Sequence, residues 1–299
     1  MTPPNRQCSS KDEHATLLTD TRSREAYSFA HEDIIGTVKL MPLVLSETDG
    51  HLGIITLDNP EKRNCLNAPL IHEFFDVLDQ FEASDIRVFI LRAQPGAKVW
   101  SAGHDVNELP QPGRDPLPYG GPFERMLRRV QDYPGPVIAM IEGSVWGGAV
   151  DLALSCDILI GCETASFTAT PAKIGIPYTA SGMIHFINVL GLNKAKEMFF
   201  TAEPVSAPDA LNAGILNHLV PTADLERFTR DLAGKILKNA PLVVRALKEQ
   251  FRLLSGGHPI DAETAEEIQS IRRRVYDSQD YGEGIRAFHE KRPPRFQGK

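Results

Sequence analysis

The chain is short of everything that would mark it as secreted, membrane-spanning or nucleotide-binding. It has four cysteines, Cys8, Cys65, Cys156 and Cys162, and no C-x-x-C pair. That is too scattered for a disulfide framework or a thiolate metal site, and it fits a reduced, cytosolic chain. Cys156 and Cys162 sit in apolar stretches and read as packing residues. Apolar runs such as Val137–Ile141 and Ile158–Ile160 fall far below the ~20 residues that a membrane-spanning helix needs. The N-terminus lacks the charged-then-apolar profile of a secretory signal, so the expected location is the cytoplasm. Positive charge is scarce too: 32 Lys and Arg against 39 Asp and Glu give a net charge of -7. That argues against nucleic acid as the main partner. G-x-G-x-x-G and G-x-x-x-x-G-K-[ST] are missing, which leaves dinucleotide and P-loop binding without support. Without a G-x-S-x-G elbow there is no serine-hydrolase signature. His104 stands beside Asp105, but no H-E-x-x-H or comparable cluster accompanies it, so no metal is expected.

What is present is ordinary globular material: 299 residues, 42% hydrophobic and 24% charged. Residues 1–38 are polar and aperiodic and read as a flexible leader, in which Arg24–Val38 has room for a turn or two of helix. Leu43–Leu45 and Leu52–Leu57 flank Asp49-Gly50, a hairpin signal. Leu70, Ile71, Phe74, Phe75, Leu78 and Phe81 form one helical stripe. Val88–Leu91 reads as a buried strand. Phe123, Met126, Leu127 and Val130 mark a helix that Pro134-Gly135-Pro136 ends. Val137–Ile141, Asp157–Ile160 and Ala165–Thr168 follow as strands. Strands alternating with helices imply an α/β core with parallel pairing over residues 39–220. The pattern turns helical after about residue 181. Ser206-Ala207-Pro208-Asp209 opens a helix, Gly214 stops it, and Ile215–Val220 is a last short strand. Leu225–Leu237, Leu242–Leu254 and Ala262–Tyr276 then give a helical C-terminal region within 221–299.

Two loops carry the candidate chemistry. One is Trp100-Ser101-Ala102-Gly103-His104-Asp105. The other is Glu142-Gly143-Ser144-Val145-Trp146-Gly147-Gly148-Ala149, directly after the strand Val137–Ile141. Small residues let a backbone approach a ligand and take unusual dihedral angles. A Gly-Gly pair ahead of a helix start leaves free N–H groups at an end that carries partial positive charge. Two such loops can aim two amides at one oxyanion. Taken alone, the Gly-Gly pair also serves as a plain turn or packing feature, and spacing by itself goes no further than an oxyanion site.

These residues resemble a known family. Ser101–Asp105 together with Val145–Ala149 is similar to the crotonase, or enoyl-CoA hydratase/isomerase, superfamily, over roughly residues 41–299. Asn64-Cys65-Leu66-Asn67-Ala68 resembles the family's early CoA-binding segment. The resemblance implies a crotonase fold: a superhelical core of repeated β-β-α turns with a C-terminal helical region used for trimerisation, as a homotrimer or a dimer of trimers. It implies that the amides of His104 and Gly148 bind a thioester oxygen. It also implies that coenzyme A, as part of an acyl-CoA substrate and not as a separate cofactor, runs along Lys62, Arg63, Asn64, Leu66 and Ala68, with Ala102 nearby. Lys291 and Arg292 are carried over as phosphate contacts; as bare charges they read as a solvated tail.

Ser101–Pro110, Gly113–Leu117, Glu142–Ala149, Thr170-Pro171, Gly175–Tyr178, Tyr276–Tyr281 and Glu290–Arg292 narrow the resemblance to the branch that decarboxylates methylmalonyl-CoA. The acid inventory agrees. Hydration in this family uses two carboxylates. Asp151 stands in the first place, Pro171 in the second, and Glu163 belongs elsewhere in the motif. Decarboxylation needs no proton abstraction, because loss of CO2 makes the enolate directly. The expected reaction is therefore decarboxylation of methylmalonyl-CoA or a close malonyl-CoA analogue. Tyr178 would lie beside the departing carboxylate and Thr170 would hydrogen-bond it, while Asp151 would relay a proton or only cap a helix. The alternatives are a hydratase, isomerase or acyl-CoA hydrolase working through Asp151 alone, and a non-catalytic scaffold binding acyl-CoA or RNA.

Overall fold

A computed structural model describes residues 41–255 and 262–299. The expected leader, residues 1–38 with its Arg24–Val38 segment, and Cys8 lie outside the described residues. The chain opens with β1 (Val44–Asp49) and β2 (Leu52–Leu57), an antiparallel hairpin turning at Gly50, whose φ is +58°. Next come α1 (Ala68–Ala83) and β3 (Val88–Ala93). Asn67 caps α1 by accepting from the Leu70 amide at 3.1 Å. The predicted stripe faces inward, except that Phe75 is only half-buried and Val77 joins it.

Three similar turns follow. β4 (Val99–Ser101) and α2 (Pro122–Asp132) come after β3. β5 (Val137–Ile141), β6 (Ser144–Trp146) and α3 (Gly148–Leu154) form the next turn. β7 (Ile158–Gly161), β8 (Ser166–Thr168) and α4 (Pro171–Ile174) form the third. Each turn gives its first strand to one sheet and its second strand to another. The large sheet runs β1-β2-β3-β5-β7 and ends on β10 (His218–Leu219). It is parallel except for the β1–β2 pair. The small sheet runs β4-β6-β8 in parallel and closes on β9 (Val205–Ser206), which is antiparallel. This repeated β-β-α path is the crotonase architecture expected from the sequence.

The rest is helical: α5 (Ala180–Thr201), α6 (Ala207–Asn212), α7 (Thr222–Leu237), α8 (Pro241–Ser255), α9 (Ala262–Tyr276) and α10 (Gln279–His289). The inner strands of the large sheet, β2, β3, β5 and β7, are buried on both faces, as parallel sheets generally are. Leu52, Ile54, Val88, Ile90, Ile138 and Met140 pack toward Leu225 and Ala233 of α7. The alternate residues Ile55, Leu57, Phe89 and Leu91 pack with Phe74, Leu78 and Phe81 of α1. Among the described residues no helix is long and apolar enough to cross a membrane.

Several expectations change. β4 runs into the first segment read as a loop, through Trp100-Ser101, and β6 lies inside the second. β10 keeps only His218–Leu219 of the predicted Ile215–Val220. Helix α10 was not anticipated; Ser278 caps it by accepting from the Tyr281 amide at 3.1 Å.

Candidate active site

The three small-sheet strands are parallel neighbours, so their C-terminal ends lie side by side. The chain leaving β4 carries His104, the chain leaving β6 carries Gly147 and Gly148, and the chain leaving β8 carries Thr170. Ligands collect at such strand ends in open parallel sheets. Here the convergence is tight. At Gly103 (φ +81°) an added Cβ would collide with the Trp146 carbonyl oxygen and come within 2.8 Å of the Gly148 nitrogen. At Gly148 an added Cβ would sit 3.5 Å from the His104 nitrogen. Only glycine at 103 lets the two segments meet.

Peptide geometry fixes where the two amides point. The Gly103 carbonyl accepts from the Leu66 amide at 2.8 Å. In a trans peptide the C=O and the following N–H point in opposite directions, so the His104 N–H faces away from Leu66. Likewise, the Gly147 carbonyl accepts from Val150 at 3.0 Å, which turns the Gly148 N–H outward from the first turn of α3. As the first residue of that helix, Gly148 has no intrahelical acceptor for its N–H. With seven residues α3 is short, so the aimed amides matter more here than the summed helix dipole.

Both residues line a cavity of about 390 Å³, along with Thr170, Pro171 and Tyr178. Its wall is mostly apolar: Val106, Leu109, Leu117, Phe123, Ile174 and Ile176 contribute. Among the described residues on that wall there is no Asp or Glu, and Arg63 is its one Lys or Arg side chain. Pro171, in the place of the second hydratase carboxylate, is part of the wall and is buried. Burial lowers the pKa of the His104 ring, against the opposing pull of its hydrogen bond to the Asp105 carbonyl and of the Glu108 charge. The ring stays neutral and packs edge-on against Phe123 at 5.5 Å.

Of the predicted CoA-contact residues, Arg63 and Ala102 reach the cavity wall, and the others do not. Lys62 is exposed at the end of a short 3-10 turn, Pro60–Lys62. Asn64 is buried, and its side chain accepts from the Asn59 amide at 2.8 Å and donates to the Trp100 carbonyl at 3.0 Å. Leu66 is buried and bridges to His104. Ala68 is exposed and donates its amide to Glu108 at 2.9 Å. Lys291 is exposed just beyond α10, with φ +53°. Its neighbour Arg292 pairs with Glu283 at 2.6 Å.

Asp151 does not line the cavity. Its side chain is 1% exposed, and it accepts from the Tyr178 hydroxyl at 3.0 Å and from His185 Nδ1 at 2.6 Å. Tyr178 is therefore the contact between cavity and Asp151. Burial and the Asp151 charge hold the Tyr178 phenol well above its ordinary pKa, so it is protonated at rest. Sequence reasoning missed His185 and the buried Glu124. Neither had a local signal: the Asp151–His185 contact spans 34 positions, and Glu124 looks like an ordinary polar residue beside the α2 stripe.

Comparisons with known proteins agree with this geometry. The enoyl-CoA hydratase/isomerase family profile matches residues 47–299. The chain is 43% identical over 251 residues to methylmalonyl-CoA decarboxylase of Escherichia coli strain K12, covering 84% of this chain and 96% of that one. A solved methylmalonyl-CoA decarboxylase in complex with 2-nitronate-propionyl-CoA superposes with a TM-score of 0.84 at 42% identity, covering 86% of this chain and 99% of the other. An enoyl-CoA hydratase from Bacillus anthracis aligns less well, at TM-score 0.64 and 30% identity, over 86% of this chain and all of that one (100%). The chain belongs to the enoyl-CoA hydratase/isomerase family.

Proposed function

We propose that this chain is an acyl-CoA decarboxylase that converts methylmalonyl-CoA to propionyl-CoA and CO2. The carrying observation is a cavity with two outward amides and, among its described wall residues, no carboxylate. Such a site can hold an enolate but has no wall base to draw a proton from carbon or from water. The 43% identity to a methylmalonyl-CoA decarboxylase supports the same reading.

The thioester oxygen sits between the His104 and Gly148 amides. As the C–C bond to the carboxylate breaks, charge moves onto that oxygen and both hydrogen bonds strengthen. One such preorganised donor is worth ~3 kcal/mol, or on the order of 10²–10³ in rate. Thr170 and Tyr178 border the space for the carboxylate and hold it out of the thioester plane, which is a positioning effect. The apolar wall strips water from that carboxylate. Coenzyme A enters as part of the substrate, along Arg63 and Ala102, and no separate cofactor is required.

Assembly is a homotrimer or dimer of trimers formed through the C-terminal helices of 221–299, behind a core of 39–220, in the cytoplasm. Leu242, Leu247, Phe251 and Leu254 give α8 an exposed apolar face suited to that contact. The decisive assay is a substrate profile over malonyl-, methylmalonyl-, ethylmalonyl- and crotonyl-CoA. CO2 and propionyl-CoA from methylmalonyl-CoA are expected, with crotonyl-CoA left unhydrated. Hydration of crotonyl-CoA without CO2 release from any malonyl thioester would overturn the reading.

A further inference from the structure

Decarboxylation consumes one proton per turnover, and the cavity wall offers no carboxylic acid to supply it. Tyr178 has a titratable hydroxyl there, but a phenol that gives up its proton must be recharged. Behind it lies a polar cluster that the reaction outlined above does not use. Asp151 on α3 bonds Tyr178 on one side and His185 of α5 on the other, at 3.0 and 2.6 Å. The side chain of His185 is 21% exposed. Tyr178, Asp151 and His185 thus form a continuous hydrogen-bonded path from the cavity to the outside of the chain.

The surroundings are built around this path. Gln131 of α2 places Nε2 2.8 Å from His185 Nε2 and donates to Ser155 at 3.1 Å. Glu124, also on α2, has a side chain only 3% exposed and accepts from Ser181 at 3.0 Å. Its Oε1 has no partner among the described residues. The Arg128 guanidinium lies 3.8 Å from the other oxygen. The charged and titratable groups around His185 are therefore Asp151 from α3, Glu124 and Arg128 from α2, and Tyr178 ahead of α5. Burial works against a charged His185 ring, but the Asp151 hydrogen bond and charge, with Glu124 adding to them, raise its pKa. Gly182 makes room for the path: a Cβ there would collide with the Tyr178 ring and come within 2.5 Å of Asp151 Oδ2.

We propose that Asp151 and His185 recharge Tyr178 with the proton that it delivers to the enolate carbon. This rests on the decarboxylase reading above. The carboxylate C–C bond breaks, its electron pair forms the enolate, and CO2 leaves. The α-carbon takes the Tyr178 proton. The His185 imidazolium passes its Nδ1 proton to Asp151 Oδ1, and the neutral carboxyl group so formed turns about its Cβ–Cγ bond, hands that same proton to the phenolate oxygen and returns as the carboxylate. The ring is left neutral with its proton on Nε2; this form and the imidazolium both present an N–H to Gln131, so the amide is turned with its oxygen toward the ring in both. Solvent at the exposed ring edge restores the imidazolium. His185 and Asp151 are positioning residues in this scheme, since neither touches substrate.

The test uses the full-length protein with methylmalonyl-CoA. His185→Gln is expected to lower kcat about tenfold or more, toward the range typical of a lost proton-transfer group, with KM little changed. The sign follows from the donor form. The wild-type rate is highest with the imidazolium present and falls as pH rises through a value above the usual 6.5. His185→Gln loses that fall. In D2O the wild type places deuterium on one face of propionyl-CoA, and Asp151→Asn gives both faces. Gly182→Ala, which pries Tyr178 from Asp151 but removes no titratable group, reproduces the flattened pH profile and serves if His185→Gln does not fold. An unchanged pH profile in these variants, with or without a uniform loss of rate, overturns the relay. A wild type that releases no CO2 overturns the decarboxylase reading instead.

Discussion

Proline at position 148 removes one N–H and leaves the backbone close to where it was. Gly148 opens α3, the position where proline is best tolerated because its N–H is unbonded anyway. The preceding residue tolerates it too. Gly147 has φ +54° and ψ -124°, the mirror image of the polyproline region that proline favours in its predecessor, and glycine is achiral. The new side chain does meet something: a Cβ at 148 comes within 2.7 Å of Phe123 Cζ. That is the far end of a side chain and can swing, but it packs against the His104 ring. Gly148→Ala carries the same Cβ and keeps the amide, so it is the proper reference. The ratio of kcat/KM between the two variants then sets an upper limit on one oxyanion donor, because the proline Cδ stands where the N–H pointed and also crowds the oxygen. It should be on the order of 10²–10³ or more, ~3 kcal/mol of it from the lost donor, with Gly148→Pro the slower. The assay is CO2 release from methylmalonyl-CoA, with thermal melts to confirm that both variants fold. A Gly148→Pro enzyme within about threefold of Gly148→Ala would mean that this amide does not hold the developing oxyanion, against the magnitude expected for such a donor.

Tyr178→Phe keeps the ring and deletes the hydroxyl, so kcat should fall on the order of 10² while stability shifts by about 1 kcal/mol; an unchanged rate would make Tyr178 a packing residue. Arg272 is 5% exposed, grips Asp115 through two bonds, of 2.6 and 2.9 Å, and donates to the carbonyl of cavity residue Leu117 at 3.1 Å. Arg272→Ala should cost about 3 kcal/mol in urea unfolding and raise KM, because it leaves the Asp115 carboxylate without its main partner. Glu283 holds Arg292 and the Arg295 amide, and these hydrogen bonds pull its pKa down to about 2. A depressed carboxylate stabilises the fold above its ordinary value near 4.5 and stops doing so as pH falls toward 2. The Tm gap between wild type and Glu283→Gln should therefore be present at pH 7 and close as the pH is lowered through that window; a gap that persists at pH 2 would contradict it.

The middle of the large sheet was legible because β2, β3, β5 and β7 are apolar runs, and β3 and β5 are buried throughout. Helix α1 was legible because Leu70, Ile71, Phe74, Leu78 and Phe81 repeat with the helical period. Most of the small sheet was not. Only β8 was read as a strand, within Ala165–Thr168; β4 and β6, three residues each, are too short for any period to emerge, and Ser101 and Ser144 look like loop residues. Yet those strands align His104, Gly148 and Thr170. The site residues at the strand ends were found through glycine placement and family likeness. The Tyr178–Asp151–His185 path was only half visible, since the contact exists because α3 and α5 pack together. Helix α10 escaped notice because its buried face is Tyr281, Gly284 and Ala287, one aromatic and two small residues that leave a weak stripe.

The two halves of the cavity differ in what can vary. The oxyanion half is backbone, set by Gly103 and Gly147 and by parallel pairing, and ordinary side-chain substitution leaves it standing. The other half is side chains, and there the reaction is chosen. A hydratase needs a carboxylate that can reach a water in the cavity. Pro171 supplies none. Asp151 has one oxygen committed to Tyr178 and the other to His185, and its side chain is 1% exposed. For Asp151 to activate water, the Tyr178 ring would have to leave its packing against Phe186 and Phe199, at centroid distances of 5.9 and 5.0 Å. With the ring in place, the Asp151 charge can act on the cavity only through the phenol, by setting when that hydroxyl gives or keeps its proton. A carboxylate held in that way suits an enzyme that must return one proton after CO2 has gone.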